Sequence, residues 1–229
     1  MHTPLTGISS MATRQLLSEL ASDYQQRSGQ TVQIESVGGV DATKRVAAGE
    51  VFDVVVLASD AMDKLIAAGH VQADSRVDLV HSGVAVAVRA GAPLPDLSSE
   101  AAVRAAVLAA PRLSYSTGPS GVALAQLFER WGIADEIRPR IVTPPPGVPV
   151  GSLLAKGEVD LGFQQLSELI HLPGITVVGA LPAAIQITTT FTAGLCSTAT
   201  QPHAARALLA FLASPEAHEA KRRQGMDPA

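Results

Sequence analysis

At 229 residues the chain has room for one large domain or for two lobes of about 100 residues each, and either can bury a core. With 47% hydrophobic residues, 17% charged and a formal net charge of −4, it lacks both the composition of a disordered tail and the basic surplus of a nucleic-acid binder, so no nucleic-acid partner is expected. A single cysteine, Cys196, excludes an internal disulfide framework, gives no zinc-ligand spacing and reads as a small buried side chain.

The first residues, MHTPLTGISSMATRQLL, have no basic segment followed by an apolar stretch of about 7–15 residues and a small-residue cleavage site. The expectation is a cytoplasmic chain as it stands, or a periplasmic one if a leader has been trimmed. No run approaches the roughly 18 apolar residues of a membrane span, so no membrane insertion is expected.

Strand-like and helix-like segments then alternate, which predicts an α/β architecture with largely parallel sheets. Residues 11–27 read as a helix, with Leu16, Leu17, Leu20 and Tyr24 at helical spacing and Gly29 just past the end. TVQIE (31–35) and DVVVLA (53–58) read as strands, the second with the unbroken apolar run of a strand buried on both faces, and 41–48 reads as a short helix between them. SGVAVAV (82–88) is a strand leading into a proline-bearing stretch. A helix over 100–109, a strand over 113–116 and helices over 121–131 and 152–155 follow, then the strand DLGFQ (160–164). The end is a β-rich 185–196 and helices over 203–213 and 215–223. Crossings near 80–84 and 181–190 predict one lobe from residues 1–80 with 190–229, and another from 83–181.

Helix starts carry the functional signal. Ser59-Asp60, Ser98-Ser99-Glu100 and Ser214-Pro215-Glu216 put hydroxyls and acids where the helix dipole favours them, and read as structural caps. Three other starts carry no acid in the first turn: Gly7 to Arg14, Ser116 to Gly121, and Pro146 to Ser152. Free N–H donors, small residues and hydroxyls make such a start an anion site; for any one of them simple hydroxyl capping is the plainer account, and it is three in one chain, from both expected lobes, that bring the two readings level. A fourth, Val37-Gly38-Gly39-Val40-Asp41, is ambiguous because Asp41 competes with an anion. Lys44 and Arg45 beyond it read either as a solvated face or as ligand-steering charges.

Four stretches, GISSMATRQLLSELASDY, AAGEVFDVVVLAS, DLGFQQ and LASPEAHEAKRRQGMDP, together resemble a type II periplasmic solute-binding protein, closest to the molybdate-binding branch. The resemblance spans nearly the whole chain. It implies two α/β lobes that close by a hinge over a small-molecule anion held in a cleft, with an ABC-transporter membrane component as a possible partner and no cofactor or metal. By position, the family's first-loop serine falls on Ser9 or Ser10, its second-lobe donors fall near Ser120-Gly121 and Val148, and its last-strand tyrosine falls near Gln165. The resemblance therefore assigns Ser9, Ser10, Gly39, Ser116, Thr117, Ser120, Gly121, Val148, Gln164 and Gln165 to ligand binding. The family's second serine is replaced here by Gly39-Val40 and its tyrosine by Gln165. Amide chemistry in place of hydroxyls suits an organic di- or tricarboxylate better than molybdate. Gln164 and Gln165 are neighbours on a strand, so one reaches the ligand while the other packs or caps.

An offshoot of the same fold isomerises aconitate, so an enzyme moving a double bond in an unsaturated tricarboxylate stands as the alternative to a binder. Such a reaction needs a base, for which His81 and Glu168 are candidates, although a lone His at a strand start is more often structural or exposed and Glu168 reads also as a helix residue facing water. The chain has no nucleophile elbow, phosphate loop or H-E-x-x-H pair. LysR-type regulators share the lobed fold in their sensing domain, but no helix-turn-helix segment is visible here.

Overall fold

The computed structural model describes residues 3–145 and 147–229; Pro146, part of the third acid-free start, lies outside the described residues. Strand β1 (Leu5–Ser10) leads through a 3-10 turn (Met11–Thr13) into α1 (Arg14–Ser28), β2 (Val32–Val37), α2 (Gly39–Ala47), β3 (Val54–Ala58), α3 (Ser59–Ala67) and the long β4 (Val77–Arg89). Then come α4 (Glu100–Ala109), β5 (Leu113–Tyr115), α5 (Pro119–Arg130), the one-turn α6 (Ala134–Ile137), α7 (Val150–Lys156), β6 (Leu161–Gln165), the one-turn α8 (Leu166–Leu169) and β7 (Ile175–Ala180). Strand β8 (Thr188–Leu195), α9 (Pro202–Ala213), α10 (His218–Arg223) and β9 (Asp227–Pro228) complete the chain. It divides into unit 1, Met1–His81 with Thr190–Ala229, and unit 2, Ser82–Thr189; β4 and β8 each run from one unit into the other.

In unit 1, β1 lies between β2 and β3, parallel to both, and β8 pairs antiparallel with β3. All five residues of β3 are buried, as its unbroken apolar run predicts. One face packs Leu5, Val54 and Val56 against Leu16, Leu17 and Leu20 of α1 and Leu208 and Leu212 of α9; the other packs Ile8, Val55 and Leu57 against Ala42, Met62 and Leu65. Asp53, at the amino end of β3, joins three parts of the unit. It accepts from the Thr6 amide at 2.9 Å, and from the Thr200 and Gln201 amides at the start of α9 at 2.8 and 3.0 Å.

In unit 2, β5 and β6 are parallel, and β6 and β7 each pair antiparallel with β4. Val84, Val86 and Phe163 share one sheet face with Leu113 and meet Leu124, Leu127 and Phe128 of α5. Ala85 and Ala87 share the opposite face with Val150, Leu153 and Leu154 of α7.

Four sequence expectations need correction. Gly7 to Ser10 is strand, and helical winding begins only at Met11. The Gly7 position explains why a glycine tolerates this: a Cβ there would sit 2.8 Å from Val54 Cγ2, so β1 and β3 approach too closely for a side chain. Strand β7 was not anticipated; its residues are only partly buried, so it lacks the apolar run that marks β3. The helix expected over 41–48 starts two residues earlier, at Gly39. Of the three serine caps, only Ser99 accepts a helix amide, from Ala102 at 3.1 Å; the starts at Ser59 and Pro215 make no side-chain cap bond.

Candidate functional site

In unit 1 the candidate groups lie at the carboxyl ends of β1 and β2, the usual ligand end of a parallel α/β sheet. Ser9 is fully buried and occupied internally: its hydroxyl lies 2.8 Å from that of Ser36, its register partner on β2, and 3.3 Å from the Ser10 carbonyl. That carbonyl also accepts from the Thr13 hydroxyl at 3.2 Å. Ser10 differs from Ser9. Its residue is 7% exposed, and its Oγ is buried without a hydrogen-bond partner. Gly39 opens α2 beside it, a Cβ built there lying 3.6 Å from Ser10 Cβ, and Gly38 offers no side-chain cap. An unpaired buried hydroxyl beside a helix start without a side-chain cap offers donors to an anion, with Asp41 in the first turn of α2 as the competing acid.

In unit 2 the candidate groups lie at the carboxyl ends of β5 and β6, where the Tyr115–Phe163 register puts Ser116 and Thr117 at the same end as Gln164 and Gln165. Helix α5 has Pro at its first position, no acid in its first turn and no side-chain cap. The Ser116 and Ser120 hydroxyls are 3.0 Å apart. Gly121 makes this approach possible: a Cβ on it would lie 1.6 Å from the Ser116 carbonyl oxygen. A cavity of about 280 Å³ opens here, lined by Tyr115, Ser116, Thr117, Gly121, Val122 and Thr143 among others.

The two glutamines divide their roles. Gln164 is opposite Ala85, on the face covered by α7; its Oε1 accepts the Val150 amide at 2.9 Å and its Nε2 donates to Glu168 Oε2 at 2.7 Å. Gln165 is opposite Val84, on the other face; its Nε2 donates to the Thr189 hydroxyl at 3.0 Å and its Oε1 is buried without a partner. Which end of that amide is oxygen rests on the hydrogen-bond network, and turning it over would present Nε2 as a free donor. The Val148 amide is bonded to the Pro145 carbonyl at 3.0 Å, and α7 itself begins under the Gln164 cap.

Of the two candidate bases, His81 is half-buried with Nδ1 3.0 Å from the Thr190 hydroxyl. Glu168 does not face water as an ordinary exposed helix residue: it is partly buried, and burial pushes its carboxyl up to about 7 against the opposing hydrogen bond from Gln164. Arg45 is held by Glu35 and Glu50 and lies over the Phe52 ring, while Lys44 is exposed. Cys196 is buried, and burial raises its thiol to about 12, so it is inert at neutral pH. A larger hollow of about 730 Å³ between α1 and β2 is lined by Arg14, Gln25, Glu35 and Ser36 among others; the unpartnered Ser10 hydroxyl is not among its lining groups. Among the described residues no cluster of His, Cys, Asp and Glu is arranged to hold a metal, and no helix is long and apolar enough to cross a membrane. Sequence reasoning missed Ser36 and Thr189, the hydroxyl partners of Ser9 and Gln165; only strand pairing brings them there.

Parallel strands ending in hydroxyls, amides and acid-free helix starts, in each of two α/β units, define the class: the chain belongs to the bacterial extracellular solute-binding proteins, which it matches over residues 5–227. In sequence it is similar to the aconitate isomerase of a Pseudomonas species, at 39% identity over 234 residues, covering 99% of this chain and 88% of that protein. In structure it is similar to the periplasmic molybdate-binding protein of Azotobacter vinelandii, with a TM-score of 0.82 and 21% identity over 97% of this chain and 98% of the other. The sulfate-binding protein SubI of Mycobacterium tuberculosis H37Rv gives a TM-score of 0.81 and 18% identity over 100% of this chain and 88% of the other. The resemblance to type II solute-binding proteins expected from the sequence is thereby borne out, and at these identities the two structures speak for the fold alone.

Proposed function

We propose that this chain binds a small unsaturated tricarboxylate, aconitate or a close analogue, and moves its double bond by a 1,3-proton transfer. The observation that carries the reading is the 39% identity to an aconitate isomerase, which runs through both units rather than one. The site chemistry supports it. In unit 1 the Ser10 hydroxyl and the amides at the start of α2 suit a carboxylate. In unit 2 the start of α5, with Ser116, Thr117, Ser120 and Gly121 around it, suits a carboxylate too. Gln165 contributes an amide that either donates to a carboxylate or accepts from a protonated one, a versatility that a bare metal oxyanion does not use. Neutral donors and helix dipoles also hold the negative charge that develops when a proton leaves carbon, without reorganising as the reaction proceeds.

The test is twofold. Calorimetry with cis- and trans-aconitate, citrate, molybdate and sulfate should give tightest binding for an aconitate, and incubation with either aconitate isomer should yield the other. Tight molybdate binding with none to aconitate refutes the reading. A second reading, delivery of a bound organic anion to an ABC-transporter membrane component in the periplasm, is favoured by the family match. Aconitate binding without turnover selects it.

A further inference from the structure

We propose that Glu168 is the catalytic base of the double-bond shift, an assignment that rests on the isomerase reading above. Unit 2 contains eight acidic residues, and seven of them, Asp96, Glu100, Glu129, Asp135, Glu136, Glu158 and Asp160, are exposed. Glu168 alone is drawn inside. It sits on α8, which follows directly from the carboxyl end of β6, so it belongs to the end of the sheet that carries Gln165, Ser116 and Thr117. Its carboxylate accepts from the Gln164 amide, which is itself fixed by the Val150 amide at the start of α7. The Gln164 amide thus orients Glu168 Oε2 at 2.7 Å, and general-base work needs a carboxylate held in place in this way.

The step balances with nothing added. The Glu168 carboxylate takes a proton from the CH₂ next to a terminal carboxylate. The electron pair of the broken C–H bond spreads over the three allylic carbons and into the carboxylate oxygens. The Glu168 carboxylic acid then returns its proton to the far allylic carbon, the double bond having moved one position and the base being restored. A carboxyl that titrates at about 7 suits both halves of this exchange near neutral pH. The titratable groups on the elements around it are Lys156 at the end of α7 and His171 just past α8, both exposed; strands β6 and β7 carry none.

Glu168→Gln separates this role from a structural one, because the glutamine Oε1 still accepts from Gln164. Expected is a fall in kcat of about a hundredfold or more, with aconitate affinity by calorimetry unchanged within about threefold. Exchange of substrate hydrogen for solvent deuterium should be lost in parallel. In the wild type, kcat/KM should rise as pH passes through about 7, since the base works as its carboxylate. Wild-type turnover that survives in Glu168→Gln, or a flat pH profile through that region, overturns the assignment alone. A wild type that binds aconitate but never isomerises it overturns the isomerase reading, and the assignment with it.

Discussion

Gln164 Oε1 accepts the Val150 amide at 2.9 Å, so a side chain on β6 caps the start of α7 from across the unit 2 core. The same amide group holds Glu168 through Nε2. Gln164→Ala removes a cap and leaves two buried partners unpaired, which should cost about 1–3 kcal/mol. Gln164→Glu should be worse than neutral, since it turns the donor facing Glu168 into a second acid. Urea unfolding of both variants gives the answer; a loss below about 0.5 kcal/mol in Gln164→Ala would show the cap to be dispensable.

Gln165 should behave oppositely. Its Oε1 has no partner to lose and only the Nε2 bond to the Thr189 hydroxyl goes, so Gln165→Ala should cost about 0.5–1.5 kcal/mol while weakening carboxylate binding roughly tenfold or more. Parallel unfolding and calorimetry on the same preparation decide it, and unchanged affinity sinks the ligand role of this residue.

Ser10→Ala tests the unit 1 groups. A buried hydroxyl without a partner carries its desolvation cost in the free protein, so its removal should leave the melting temperature unchanged or higher. Ligand affinity should fall about tenfold, the worth of one hydrogen bond to a charged group. Ser9→Ala, by contrast, breaks the bond to Ser36 and should lower stability.

Gly121→Ala should disable the α5 start. Its Cβ would meet the Ser116 carbonyl oxygen at 1.6 Å, a backbone atom that no rotamer change can clear. Displacing it should cost at least about 1–3 kcal/mol and abolish the ligand-induced rise in melting temperature. Gly118→Ala is the control, because nothing lies within 4 Å of a Cβ there.

Two carboxyls should tilt stability in opposite directions with pH. At Asp53, burial raises the pKa but the amides of Thr6, Gln201 and Thr200 outweigh it, so the net shift is downward. Its contribution is therefore complete above the unfolded value of about 3.9 and lost as pH falls through the lower folded one. Glu168 is raised to about 7 by burial, so the folded state holds its proton more tightly than the unfolded state. Its contribution is complete below about 4.3 and declines as pH rises toward 7. Glu168→Gln should flatten the decline between those values in a pH series of unfolding curves; a slope identical to wild type refutes the assignment of that decline to Glu168.

The sequence by itself determined the alternation of elements, the buried strand at 54–58, the family, and the small-residue stretches around Ser10 and Ser116, because periodicity, glycine placement and missing acids are local properties of the chain. Strand β1 was hidden within them. LTGISS lacks a strand's apolar run, and it is extended because β2 and β3 flank it, with Gly7 allowing the close approach to Val54. Residue type likewise left the two glutamines and the two serines indistinguishable. Only the tertiary structure decided that Gln164 is covered by α7 while Gln165 faces away from it, that Ser9 finds Ser36 while Ser10 finds no partner, and that Glu168 is drawn inside. The physical reason is common to all three: whether a polar side chain is a cap, a donor left open or a displaced acid depends on the partners and on the water removed around it. Both are set by chain segments far away in sequence.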